Sequence, residues 1–357
     1  MAELVHSEVD AAADSGVRNS QPEGIGRVAI FDDLVCWNNL GRNVVFADTE
    51  YRSRAVFGST LYPHDDEPSQ YDLDVHSILD VREFGLVLVV NHFGVVRAFR
   101  RADLLRHTDG RLLTESSTWG FVPDVERTIS AAGRLIASAP RSDGALGLLV
   151  SDCLDAIPDR SRIPARRCAT SLGEVTALGF VSSAGDPLLA VGGDGKLALV
   201  PLIGGAVGTP KWEVTLGFRV SMIAWHRGAV WAAGPDRGAD VDDYDWERLG
   251  GGGFAVLEPA DGKTVMSGHL PADVAWGTGG VAAAPFGSFL VVASRTGRLH
   301  VIDPHTGISR YSTAPLGSSS LGIAHLAVGA GRVLCGFNRG GYRLHSFAEP
   351  TAVAGPP

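Results

Sequence analysis

The side chains in this sequence best suited to binding a metal ion are four histidines and one aspartate: His64, Asp74, His76, His92 and His325. Imidazole and carboxylate groups bind divalent first-row metals, and a site built from them keeps open positions for a small reactant. The five residues share no regular spacing, and a chance scatter of the 11 histidines explains their positions better. We therefore predict no cofactor and keep a divalent metal as the alternative.

Two acidic segments with aromatic residues are suited to binding another protein. The first runs from Tyr62 to Asp74 and includes Tyr71 and Asp72. The second begins at Asp236 and contains Asp240, Asp242, Asp243, Tyr244, Asp245 and Trp246. Aromatic anchors among charges are typical of interfaces, although acidic loops also simply solvate a surface. Calcium is a third interpretation, but the second segment lacks the glycine and glutamate positions of an EF-hand loop.

Composition limits the classes of partner and compartment. The 31 Lys and Arg against 40 Asp and Glu give a net charge of −9, which disfavours nucleic acid and anionic membranes. The start of the chain lacks the pattern of a signal peptide, and no apolar run is long enough to span a bilayer. The cysteines are far apart, so we expect buried thiols in a reducing compartment. These features predict a cytoplasmic protein.

One pattern recurs along the chain: an apolar β-type run, a turn with glycine, and a second β-type run. It occurs at 34–48, 86–99, 135–150, 188–200, 229–258, 289–303 and 333–347. Its turn glycines recur about every 50 residues, and glycine suits hairpin turns because they need positive φ. They are Gly41, Gly94, Gly144, Gly195, Gly252, Gly297 and Gly340.

Further apolar runs flank each hairpin, so each period holds four short strands, as in a β-propeller blade. The sequence therefore predicts an all-β fold, a seven-bladed β-propeller of four-stranded antiparallel blades over residues 25–348. Residues 1–24 are predicted as a polar N-terminal tail and residues 349–357 as a C-terminal tail. The segment 26–31 has two possible positions: the innermost strand of the first blade, or the missing outer strand of the last blade.

Several units end in a short turn with an acidic residue and a glycine. Examples are Asp303-Pro304-His305-Thr306-Gly307 and Glu258-Pro259-Ala260-Asp261-Gly262. These turns resemble the Asp-x-x-Thr-Gly turn of the quinoprotein-type propeller repeat, between the third and fourth strands of a blade. The resemblance implies the fold of that superfamily, which includes non-catalytic docking platforms. Its quinone-binding enzymes carry adjacent cysteines at the cofactor, and this chain has none.

Propeller topology assigns each loop to a face. Connections between second and third strands, and between blades, lie on one face, which we call the upper face. Connections between third and fourth strands lie on the opposite, lower face. Both acidic segments and the candidate metal ligands map to the upper face. Arginines that follow third strands, such as Arg97, Arg100, Arg101 and Arg106, map to the lower face, as a solvated rim or a docking patch for an acidic protein.

The sequence therefore predicts a non-enzymatic scaffold that binds a protein partner through its upper-face loops. The alternative is a metal-dependent propeller enzyme, an oxygenase, lyase or hydrolase, with its site at the mouth of the axial channel. This alternative rests on resemblance to propeller oxygenases, in which histidines of the inner strands meet one iron. Neither the partner nor the oligomeric state follows from the sequence.

Overall fold

The computed structural model covers the strand framework. It describes residues 5–10, 25–39, 43–49, 53–58, 75–91, 95–106, 111–113, 118–121, 128–132, 135–139, 148–152, 166–168, 170, 172–182, 187–203, 206–237, 251–274, 276–277, 280–313, 323–337 and 343–348.

The described elements are nearly all strands. The first are β1 (Val5–Asp10), β2 (Ile25–Phe31), β3 (Leu34–Asn39), β4 (Asn43–Asp48), β5 (Ser53–Gly58), β6 (Val75–Val81), β7 (Leu86–Asn91), β8 (Val95–Arg100), β9 (Arg111–Leu113), β10 (Thr118–Phe121), β11 (Thr128–Ala132), β12 (Leu135–Ala139), β13 (Leu148–Asp152), β14 (Arg166–Cys168) and β15 (Ala177–Val181). They continue as β16 (Leu188–Ile203), β17 (Ala206–Val207), β18 (Trp212–Arg219), β19 (Met222–His226), β20 (Ala229–Pro235), β21 (Gly252–Leu257), β22 (Thr264–His269), β23 (Trp276–Gly277), β24 (Gly280–Val281), β25 (Ala283–Phe286), β26 (Phe289–Ala293), β27 (Leu299–Asp303), β28 (Ile308–Ser312), β29 (Ile323–Gly329), β30 (Arg332–Phe337) and β31 (Arg343–Ala348). A 3-10 turn (Arg82–Phe84) and a short helix α1 (Arg101–Arg106) complete the set.

The strands form antiparallel sheets that follow one another along the chain. Sheet 1 is β2-β3-β4-β5, sheet 2 is β6-β7-β8-β10, sheet 3 is β11-β12-β13-β14, sheet 4 is β15-β16 with β17 and β18, sheet 5 is β19-β20-β21-β22, sheet 6 is β25-β26-β27-β28 and sheet 7 is β29-β30-β31-β1. One parallel pair departs from this pattern, because β9 adds to the edge of β5. Two elements of the connection between β8 and β10, α1 and β9, thereby lie against sheet 1.

The first strands of the sheets pack side by side. In chain order β2 lies against β6, β6 against β11, β11 against β15, β15 against β19, β19 against β25 and β25 against β29; β29 then packs against β2. The outer strands point away from this inner set, because each sheet continues from its first strand to its fourth. The fold is therefore all-β and propeller-like.

The core lies between neighbouring sheets. Alternate residues of one sheet, such as Leu34 and Cys36, pack with Val87 and Val89 of the next, and all four are buried. The same arrangement joins sheets 5 and 6 in a cluster that includes Trp231. Each sheet is covered by a neighbouring sheet on both sides. Both faces of its strands are therefore apolar, and the strands are near-continuous runs of Val, Leu and Ala.

Residues with positive φ occur in two kinds of hairpin turn: at glycines that the sequence predicted, and at other residues that the sequence did not single out. Gly195 and Gly297 have φ of 72° and 74°, which confirms the predicted turn position for those two hairpins. Gly252 lies in β21, so its predicted turn position is wrong. The other four predicted turn glycines (Gly41, Gly94, Gly144 and Gly340) lie outside the described residues.

Three of the described turns between first and second strands carry positive φ on a residue other than glycine. These residues are Asp32, Arg227 and Ala330, with φ between 42° and 50°. Each begins a two-residue turn, and such hairpin turns require positive φ because only then does their twist match that of the strands. The sequence signal was a two-residue polar or small break between apolar runs, as in Phe31-Asp32-Asp33-Leu34.

The Asp-x-x-Thr-Gly turn is a structural device of the outer strands. The Asp303 carboxylate accepts the His305 N–H at 3.0 Å, and the Gly307 N–H donates to the Asp303 carbonyl at 2.8 Å. Arg310 binds the same carboxylate, and chiefly this hydrogen bond holds the pKa of Asp303 below its usual value. The motif therefore shapes the turn before β28.

The chain closes on itself in sheet 7. Val5–Asp10, within the segment that the sequence assigned to a tail, forms β1 and pairs antiparallel with Arg343–Ala348. Residues 26–31 belong to β2, the first strand of sheet 1, where they pair with β3. Of the two positions that the sequence allowed for 26–31, the structure has the innermost strand of the first sheet.

Candidate functional site

The structure supports the predicted assignment of loops to two faces. At the upper face, the turn within β16 meets the connections into sheets 4 and 5. The Val220 N–H donates to the Gly193 carbonyl, and a Cβ added at Gly193 would lie 2.7 Å from the Glu174 carbonyl oxygen. At the lower face, Arg101 follows the third strand of sheet 2 and reaches the first turn of sheet 1. The two sets of connections thus lie at opposite ends of the strands.

Most of the predicted site residues lie outside the described residues. These are the protein-binding candidates Tyr71, Asp72, Asp240, Asp242, Asp243, Tyr244, Asp245 and Trp246, and the metal candidates His64, Asp74 and His92. His76 and His325 are described, in β6 and β29. The protein-binding and metal sites as whole sets stay predictions. Strands β20 and β21, which carry the second acidic segment, are both described.

The root of the second acidic segment is tightly built. This segment connects β20 to β21, and Pro235 pairs with Gly252 and Gly234 with Gly253 where the two strands meet it. A Cβ at Gly234 would overlap the carbonyl oxygen of Arg219, and one at Gly252 would overlap the Gly234 carbonyl. Only glycine allows these strands to approach so closely, and the segment therefore leaves the upper face from a fixed position.

Charged groups surround this root. The Arg219 side chain, 14% exposed, donates from Nη2 to Glu174 Oε1 at 3.2 Å, and its strand register sets Arg219 opposite Asp194. The Arg237 guanidinium lies over Gly195, where a Cβ would be 2.5 Å from Arg237 Nε. Asp236 pairs through its backbone with Phe218. Sheets 4 and 5 thus present both signs of charge beside the acidic segment.

A second polar group lies on the upper face next to sheet 6. Asp273, in the connection into this sheet, is 3.3 Å from His300 Nε2 and accepts a hydrogen bond from Thr296. Thr296 in turn lies 2.8 Å from Ser294, which accepts the Arg298 N–H. These contacts fix the turn before β27, and sequence reasoning missed them because Asp273 and His300 are distant in the sequence.

His325 and Arg27 form a pair between the first strands of sheets 7 and 1. Arg27 Nη1 lies 3.2 Å from His325 Nδ1. Because a guanidinium only donates, Nδ1 accepts and the neutral ring carries its proton on Nε2. Burial and the nearby positive charge of Arg27 hold the pKa of His325 well below its ordinary value. The same charge repels a metal cation, so these surroundings disfavour His325 as a ligand.

His76 lies on the other side of β2. Its ring is 5% exposed, and Nδ1 is 2.9 Å from Ser77 Oγ. Asn38 and Asn91, the buried polar residues of β3 and β7, continue the apolar rows of those strands toward the upper face. Within the described residues the Oδ1 atom of Asn38 has no hydrogen-bond partner. In the sequence, each of these two apolar runs ends in an asparagine, and this was the available signal for buried polar groups near the upper face.

We expect the Arg27→Gln variant to raise the pKa of His325 toward the value of about 6.5 for a free histidine. In the protein without substitutions, the pKa of His325 is lower in the folded state than in the unfolded chain. The unfolded chain therefore takes up the proton first as the pH falls. The stability contributed by neutral His325 is therefore complete above about pH 6.5 and declines below it. An NMR titration of the imidazole Hε1 signal measures the change.

The Arg298→Gln variant is the control, because Arg298 donates to the Thr313 carbonyl in sheet 6. It should leave the His325 titration unchanged. A His325 pKa that is the same in Arg27→Gln and in the native protein would contradict the charge effect.

On the lower face, one of the predicted rim arginines, Arg101, differs from the sequence prediction, whereas Arg100 is exposed. Arg101 is 14% exposed and donates from Nη1 to both carboxylate oxygens of Asp80, at 3.0 and 2.9 Å. Its Nη2 donates to the Phe31 carbonyl at 2.9 Å and to Asp33. Burial alone would lower the pKa of Arg101, but the two carboxylates together raise it. Arg101 therefore joins sheets 1 and 2 as a paired cation.

Two of the cysteines are buried free thiols, as the sequence predicted. They are Cys36 and Cys335, and burial raises the pKa of both. Cys168 is partly buried, and Cys153 lies outside the described residues.

The membrane prediction can be checked against the helices. In the part of the chain that is described, no helix has the length and apolar character to cross a membrane.

Comparisons with known proteins address the fold. Neither a scan against protein-family models nor a search of the curated proteins finds a match. Among solved structures, the chain is similar to the computationally designed Ika8 protein, with a TM-score of 0.55 and 12% sequence identity over 92% of this chain and 97% of that one. At such low identity the likeness concerns the fold alone, and it agrees with a propeller-like arrangement of antiparallel sheets.

Proposed function

We propose that the chain is a non-enzymatic, cytoplasmic scaffold, a seven-bladed propeller that binds a protein partner through its upper-face loops. The closed succession of first strands, from β2 through β29 and back to β2, supports seven blades. The turn at Asp303–Gly307 supports a relationship to the quinoprotein-type repeat. The partner contacts the acidic segments and their aromatic residues, with Tyr244 and Trp246 as anchors.

The root of the second acidic segment is the observation that supports this function best. A binding loop gains affinity when its ends are fixed, because less conformational freedom is lost on binding. Gly234 and Gly252 fix the two ends by close backbone contact. The segment between them contains six acidic residues (Asp236, Asp240, Asp242, Asp243, Asp245 and Glu247) and two arginines (Arg237 and Arg248). This charge fits a partner with a basic, partly apolar surface.

The test replaces residues 238–250 by a short Gly-Ser linker and leaves Asp236, Arg237 and Gly251 in place, since these belong to the root. Proteins that bind the tagged native chain are identified by mass spectrometry, purified, and titrated calorimetrically. We expect the deletion to weaken binding about 30-fold or more, as the loss of interface hot spots does. The fold should be retained, with an unchanged circular dichroism spectrum.

Two further variants separate charge from aromatic contact. Changing Asp240, Asp242, Asp243 and Asp245 to Asn should weaken binding and reduce its salt dependence. The matched control neutralises four exposed acids of the lower-face turns, Asp32, Glu83, Glu258 and Asp261. It changes the net charge equally and should leave the affinity unchanged. Equal affinity of the native and deleted chains would contradict the proposed binding face.

A further inference from the structure

The outer strand of sheet 7 is attached differently from those of other sheets. In sheets 5 and 6 the outer strand follows the third across a short turn, Glu258–Lys263 or Pro304–Gly307. In sheet 7 the third strand β31 is last in the chain, and its outer neighbour β1 comes from the opposite end. The pairing of β1 with β31 is therefore a binding equilibrium between distant segments rather than the folding of a hairpin.

The register defines what the edge of β31 accepts. Six residue pairs join the strands, from Val5 opposite Ala348 to Asp10 opposite Arg343. Main-chain hydrogen bonds between strands accept many sequences, so selectivity comes from the residue pairs. Asp10 stands opposite Arg343 in the register, and opposite charges in facing positions stabilise a strand pair. The edge thus favours an extended segment with an acidic residue at the position opposite Arg343.

We propose that the edge of β31 is a strand-acceptor site and that Val5–Asp10 of a second copy of this chain can replace the cis strand. The tether, residues 11–24, gives the cis strand an effective concentration of about 1 mM. Exchange into a dimer therefore becomes favourable at high protein concentration, when two copies donate their first strands to each other. The same contacts form in both states, so the exchange costs little free energy.

The first experiment introduces cysteines at one register pair, Asp10→Cys with Arg343→Cys, and oxidises the protein over a range of concentrations. Non-reducing electrophoresis separates cis from interchain disulfides. We expect a monomeric product at micromolar concentration and a growing disulfide-linked dimer near millimolar concentration. The single variants control for disulfides with native cysteines. A product that stays monomeric at every concentration would overturn exchange.

The second experiment uses the full chain with a protease site inserted in residues 11–24. After cleavage, a fluorescein-labelled peptide of residues 1–12 is added and its uptake is followed by native mass spectrometry. We expect one peptide per chain and up to about fivefold weaker uptake of an Asp10→Lys peptide, as a like-charge pair opposite Arg343 implies. Arg343→Glu should restore uptake of that peptide. Equal uptake of a scrambled peptide, or no uptake, would overturn the acceptor site.

Discussion

The Arg101→Met variant should lose about 3–5 kcal/mol of unfolding free energy. Arg101 is the only cation among the described residues that the structure places against Asp80, Asp33 and the Phe31 carbonyl together. Methionine keeps much of the apolar stem but leaves the Asp80 carboxylate, 13% exposed, without this partner. Removing one member of such a buried pair costs more than the pair itself contributes, because the remaining charge is poorly solvated. Urea unfolding, followed by fluorescence, measures the loss.

The control for this prediction is Arg310→Met. Arg310 pairs with one aspartate, Asp303, whose side chain is 15% exposed, while the arginine itself is 56% exposed. Asp303 keeps the hydrogen bond from the His305 N–H when Arg310 is removed, and a solvated cation contributes little, so we expect a much smaller loss of unfolding free energy. Adding Asp80→Leu to Arg101→Met should recover part of the loss, since it removes a carboxylate that keeps only the exposed Arg82, 3.6 Å away, as a partner. Equal stability of Arg101→Met and Arg310→Met would contradict the role of Arg101 in joining sheets 1 and 2.

The Gly234→Ala variant should lose on the order of 3 kcal/mol, the upper end of the range for forcing extra atoms into a packed region. Its new Cβ would overlap the Arg219 carbonyl oxygen, which belongs to backbone and cannot rotate away. The strand must therefore move, and with it the root of the acidic segment. Calorimetric and urea unfolding measure the stability, and partner affinity should fall as well.

Gly217→Ala is the matched control, because Gly217 lies in β18 near the same root, yet a Cβ added there would have no atom within 4 Å. Its φ is not positive, so alanine fits. We expect unchanged or slightly increased stability, since glycine in a strand is about 0.5–1 kcal/mol worse than alanine. A Gly234→Ala protein as stable as Gly217→Ala would mean that the strands at this root are not closely packed.

Local patterns were sufficient for the strands of the recurring hairpins and for two of the turns. Apolar runs around Gly195 and Gly297 predicted their hairpins, because strand alternation and positive φ are properties of a few neighbouring residues. The turn at Asp32 was missed because its residues are not glycine. Gly252 was misplaced because the insertion before β21 obscured which glycine belongs to the turn and which to the strand.

Contacts between distant segments were beyond sequence reasoning. The sequence alone determined that the chain alternates short apolar strands with turns, and hence that it is all-β. Only the tertiary structure decided that Val5–Asp10 is a strand, that Arg101 is half of an ion pair rather than a free rim charge, and that Arg27 faces His325. The physical reason is that burial and partner identity depend on which sheets become neighbours. A six-residue segment such as Val5–Asp10, with two acidic residues, carries no local signal of an edge that the far end of the chain provides.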